Sequence, residues 1–164
     1  MTNPFQKSAD ALVKELTEIA GERDRARQAA AAERREKERS FERATALFAA
    51  VAAKVEECLA RANEAFHGSG VTLARKVVPI SGSAGTITVT LSGEAMAPAS
   101  FRIVGNAGFK LYVHELVDPK YGPFDLSDAE ALPYAEMVDQ LIRSATAKLR
   151  ERAGGEAVAP GEGR

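Results

Sequence analysis

From Phe5 to Phe66 apolar residues recur at intervals of three and four, the spacing of an α-helix with one apolar face. Asn3 can cap its start, and Pro4 can take the first helical position, where a missing N–H costs little. No proline follows until Pro79, Gly21 is the only glycine before Gly68, and the first firm stop is His67-Gly68-Ser69-Gly70. The pattern predicts one helix of about 64 residues, roughly 96 Å long at 1.5 Å per residue. A break or hairpin near Gly21 is the alternative.

At Val71 the rhythm changes to alternation, the mark of strands with one buried face. Strands are predicted over about 71–78, 85–92, 100–104 and 108–114. The first is blurred by Arg75 and Val78, and the second is the clearest, with Ile87, Val89 and Leu91 inward and three threonines outward. Phe101 and Ile103 continue the inward set. Gly105-Asn106-Ala107-Gly108 reads as a hairpin turn, after which Phe109, Leu111 and Val113 return opposite Lys110, Tyr112 and His114. Beyond the Pro-rich connection 116–125, a helical stripe of Leu132, Ala135, Val138, Leu141 or Ile142, Ala145 and Leu149 predicts a helix over about 128–152 that stops at Gly154-Gly155. Ser127 and Glu130 resemble a capping box, but Pro133 interrupts it, so a short turn is expected before the regular helix.

The fold class expected is α+β: a long, coiled-coil-like N-terminal helix, a four-stranded antiparallel β-meander, and a C-terminal amphipathic helix packed on the sheet. Residues 1–40 are expected as a helical stem, 41–153 as a compact head and 154–164 as a flexible tail. Within the head, 41–66 can lie on the inward sheet face beside the final helix, giving a two-layer core.

A strict 4,3 reading of the long helix from Ala9 runs through Val13, Leu16 and Ala20, then Arg23, Arg27, Ala30, Arg34 and Lys37, then Phe41, Ala44, Phe48, Val51 and Val55. The seam is apolar at both ends and basic in the middle. A parallel in-register dimer would set Arg against Arg there, so that arrangement is disfavoured. An antiparallel pair, a solvated helix or an acidic partner fits better.

Charge changes this picture little. The 164 residues carry 22 Lys and Arg against 23 Asp and Glu, a formal net charge of −1, which excludes the overall basicity of a nucleic-acid coat protein. With 45% hydrophobic and 27% charged residues, the chain has enough apolar material for a core. One Cys precludes an internal disulfide, and one Cys with two His leaves a Cys/His zinc site short of ligands. The start of the sequence has no apolar signal-peptide block, and no helical stretch reaches the roughly 20 apolar residues of a membrane span. A cytoplasmic protein without a membrane segment, a metal or a cofactor is expected.

Candidate chemistry is sparse. Cys58 lies on the apolar seam without a histidine at helical distance, and burial disfavours its thiolate. His67 falls where the helix ends, an ordinary capping position. The Ser/Gly loop 79–85 has no following Lys and opens no helix, so it is not a phosphate loop. The basic stripe Arg23, Arg27, Arg34 and Lys37 spans about 21 Å of one helical face, but Glu33–Lys37 and Arg34–Glu38 can pair along it. Alternation places Arg102, Lys110, Tyr112 and His114 together on the outward sheet face, with little acid nearby. No catalytic set can be assembled.

These features point to a non-enzymatic protein-interaction module, a scaffold or adaptor assembling through its long helix, its sheet domain or both. Phe5, Leu12, Val13, Leu16 and Ile19 would contact a protein partner or a second copy in a homodimer. The alternative is a nucleic-acid-associated regulatory protein using Arg23, Arg27, Arg34 and Lys37. A small enzyme with its site at Arg102, Lys110, Tyr112 and His114 is a third reading.

Overall fold

The computed structural model describes residues 3–116 and 121–157. Helix α1 spans Gln6–Ala65, followed by strands β1 (Thr72–Ser81), β2 (Ala84–Gly93), β3 (Met96–Asn106), β4 (Lys110–His114) and β5 (Phe124–Asp125). A 3-10 turn over Leu126–Asp128 leads to helix α2 (Tyr134–Ala157). The class is α+β, and the antiparallel strands lie in sequence order as a meander. The chain divides into two units, Met1–Phe41 and Glu42–Arg164.

α1 starts as its cap residues predict: the Phe5 N–H donates to Asn3 Oδ1 at 3.0 Å and the Gln6 N–H to the Asn3 carbonyl at 3.1 Å. It runs unbroken through Gly21, because one glycine costs only about 1 kcal/mol amid strong helix formers. It ends before Gly68 and Gly70, whose φ values of 76° and 78° turn the chain out of the helix.

Four corrections to the expected boundaries have physical causes. The sheet has a fifth strand: two residues of the Pro-rich connection pair Lys110 with Asp125 and Leu111 with Phe124, a segment too short to show a period. β3 begins at Met96 rather than near 100. Pro98 is tolerated because β4 pairs only with Arg102–Gly105, so β3 has a neighbour on one side at that point. Gly105 belongs to β3 rather than to a turn, and the reversal is completed by Phe109 at φ 61°, so Phe109 is not a strand residue. α2 begins at Tyr134, after the short turn that Pro133 requires, and runs through Gly154, which keeps a negative φ, to Ala157. Residues 158–164 of the expected tail lie outside the described residues.

One face of the sheet is covered. From α1 come Ala44, Phe48, Val51, Val55 and Leu59, and from α2 Met137, Val138, Leu141 and Ala145; Ala135 and Leu149, expected in the stripe, are exposed. They pack with Ile87, Val89, Leu91, Phe101, Ile103 and Leu111 of the sheet. Gly85 and Gly105 are cross-strand partners, and a Cβ on Gly105 would come within 2.5 Å of the Phe48 ring. The glycine pair is the slot into which Phe48 packs.

Asn63 fixes the end of α1 to the sheet. Its Nδ2 donates to the Leu73 carbonyl at 2.9 Å, and its Oδ1 accepts from the Leu73 N–H at 2.8 Å. Nearby, Arg75 has the core-side parity of its partners Val89 and Phe101 and reaches Glu56 at 2.5 Å, which explains the blurred alternation of β1.

Candidate interaction surfaces

The N-terminal unit contributes a stripe of large apolar side chains to the surface. Phe5 is 74% exposed, Leu12 61%, Val13 62% and Leu16 57%, with Ile19 at the edge of exposure. The helical period brings Leu12, Val13, Leu16 and Ile19 to one side of α1, and Phe5, just before its first residue, continues that side. Each residue of this size is worth about 1.5–3 kcal/mol when fully buried rather than exposed.

The basic stripe continues along the same segment. Of the two carboxylate pairs available there, Lys37–Glu33 closes at 2.8 Å, and this hydrogen bond with its charge holds the Glu33 carboxyl below its ordinary range. Among the described residues, Arg23, Arg27 and Arg34 have no ion-pair partner within 4.0 Å, and the Arg34–Glu38 pair does not form.

The outward sheet face is arranged differently from its reading as cations with little nearby acid. The Arg102 guanidinium grips Glu115, with Nη2 at 2.6 Å and Nε at 2.9 Å from Oε1. The guanidinium beside Glu115 holds this carboxyl low, and the Arg102 proton is held more tightly in return. Lys110 reaches Asp125 at 2.7 Å, which raises the lysine. Glu115 gave no sequence signal as a partner; its φ of 68° directs the chain out of β4. Asp125 looked like a turn residue until β5 set it opposite Lys110.

Register adds a residue that alternation alone missed. Lys76, Thr88, Arg102 and His114 form one cross-strand row, and Val78, Thr86, Val104 and Tyr112 form the next. His114 and Tyr112 are therefore in adjacent rows. With two of the cations neutralised, the face is a mixed polar surface.

A groove of about 650 Å³ runs between the C-terminal part of α1 and α2, lined by Cys58, Arg61, Ala62, Pro133, Val138, Asp139 and Ile142 among others. Burial pushes the half-buried Cys58 thiol up, more than neighbouring Arg61 draws it down, so the thiol stays protonated near neutrality. Neither histidine lines the groove. Among the described residues no group of three His, Cys, Asp or Glu is placed to hold a metal ion, and no helix is long and apolar enough to cross a membrane. No known protein family, curated protein or solved structure matches the chain.

Proposed function

We propose that this protein is a non-enzymatic interaction module, a scaffold or adaptor whose N-terminal helical segment is its assembly surface. The observation that carries this reading is the stripe Phe5, Leu12, Val13, Leu16 and Ile19, large apolar groups sharing one side of a helix and exposed to solvent. Scattered apolar residues need no explanation; five at helical spacing form a coherent face. A partner helix or a second copy covers such a face as in a coiled coil. The unpaired Cys58 fits a reducing, cytoplasmic setting.

Leu16→Asp tests the reading, because it places a charge in the stripe without touching the buried core. The expected result is loss of the assembled mass by light scattering with unchanged denaturant stability of the C-terminal unit. An assembled mass identical to that of the parent rejects it.

A second reading, binding to nucleic acid or another polyanion, draws on Arg23, Arg27 and Arg34, which lack ion-pair partners among the described residues. Its affinity would fall by about 10³ or more between 50 and 200 mM salt if six phosphates were neutralised. Absence of binding at low salt removes this reading.

A further inference from the structure

The area of the apolar stripe is too small to hold two chains together by itself. Phe5 to Ile19 covers about 21 Å of helix at 1.5 Å per residue, and a contact strip about 10 Å wide on each partner gives roughly 400 Å² in total. Stable, specific interfaces bury about 1,200–2,000 Å². Contact along the whole of residues 6–41, about 54 Å, gives roughly 1,100 Å², close to that range. A stable pair must therefore extend into the basic part of the segment, and there the direction of pairing matters.

The segment is electrically asymmetric. Residues 3–22 carry two basic and four acidic side chains, a net −2, whereas residues 23–41 carry seven basic and four acidic, a net +3. Parallel in-register pairing sets each half against its own sign and brings Arg23, Arg27, Arg34 and Lys37 against their own copies. Antiparallel pairing sets the acidic half of one chain against the basic half of the other. The apolar spacing agrees with this. The steps Leu12, Leu16 and Ile19 continue to Arg23, Ala26 and Ala30, so an antiparallel register that overlaps residues 6–36 sets Leu12 opposite Ala30 and Leu16 opposite Ala26, with Ile19 against the Arg23 stem, whose charge stays in water.

We infer that two copies of this chain pair through residues 6–41 in antiparallel orientation, the acidic N-terminal half of each lying on the basic half of the other. This rests on the reading of that segment as the assembly surface, and adds the identity of the partner and the direction of pairing.

The test uses the full chain carrying Cys58→Ala and Ser8→Cys, measures its mass by light scattering before a nitroxide is attached at position 8 and again afterwards, and reads label-to-label distance by pulsed electron resonance; the mass before labelling decides whether the chain pairs. Overlap of the acidic and basic halves places residue 8 opposite partner positions beyond about 27, so the labels should stand at least about 28 Å apart. A dimeric mass with that distance, both lost in Leu16→Asp, supports the inference. A dimer lost in Leu16→Asp but with labels within about 15 Å, the spacing of adjacent parallel helices and their labels, overturns the inference and leaves the interaction surface standing. A dimer that Leu16→Asp does not disturb overturns both. A monomeric chain at all accessible concentrations overturns the inference, since the stripe then belongs to a different protein.

Discussion

Within α1, Leu12, Val13, Leu16 and Ile19 are exposed, whereas Phe48, Val51, Val55 and Leu59 are buried, although both sets follow steps of three and four residues. Residue type does not separate them. What differs is the unit each belongs to: the later set lies in the C-terminal unit and packs with Ile87, Val89, Phe101 and Ile103 of the sheet, and the earlier set lies in the N-terminal unit and is not part of that core. Hydrophobic periodicity therefore specifies a face and leaves its cover to the rest of the chain or to another molecule.

The largest expected effect breaks the comparison from the buried side. Phe48→Ala empties the slot over Gly85 and Gly105 and should destabilise the C-terminal unit by about 3–5 kcal/mol, read by urea unfolding. Leu16→Asp should change that unfolding little. Equal destabilisation by both would mean that the two parts of α1 are not distinct in kind.

Gly105→Ala should cost about 1–3 kcal/mol by overpacking, because its Cβ collides with the same ring. If it is neutral, Phe48 has room to move and the slot is not tight. Asn63→Ala sharpens the boundary between helix and sheet. It removes two hydrogen bonds to the Leu73 backbone and should cost about 1–2 kcal/mol, together with faster amide exchange at Leu73. Unchanged exchange there would show that the clamp is not what protects that amide.

How much of this was legible in the sequence follows from where each signal resides. The length of α1 was readable because a helix is stopped by glycine and proline, and residues 5–66 contain only Gly21. β2 was readable because strict alternation runs from Thr86 to Leu91. Contacts that depend on register were not. Gly85 and Gly105 looked like a loop and a turn, since nothing local says that they face each other beneath a phenyl ring 37 or more residues earlier in the chain. Alternation gives the outward face its cations, but the register sets only His114 beside Arg102 and leaves Lys110 two rows away; Glu115 and Asp125, which neutralise Arg102 and Lys110, lie beyond the alternating segment or on a strand of two residues. The apolar stripe was named from its spacing alone, and the structure adds its exposure.

The smallest expected effect concerns the sheet surface. Glu115 titrates low because Arg102 holds it, so its contribution is present above the usual carboxylate range and is lost as pH falls through its depressed value. The pair is largely exposed, so the change in stability should be slight. NMR titration of Glu115 is the better reading: Arg102→Gln should move its midpoint up toward the ordinary range. An unmoved midpoint would mean that Arg102 is not the cause.

The Asn63 clamp also bears on strand pairing between molecules. A sheet edge with unsatisfied backbone groups can template further strands, the route to fibrils. Here the edge strand β1 is blunted by the amide that occupies both backbone groups of Leu73, by an inward-pointing Arg75 and by Pro79, while at the other side β5 is only two residues long and the first part of β3, which has a neighbour on one side, carries Pro98. Assembly through the N-terminal segment, as proposed, would also bring these sheets close together. Blunted in this way, the sheet is a poorer template for further strands.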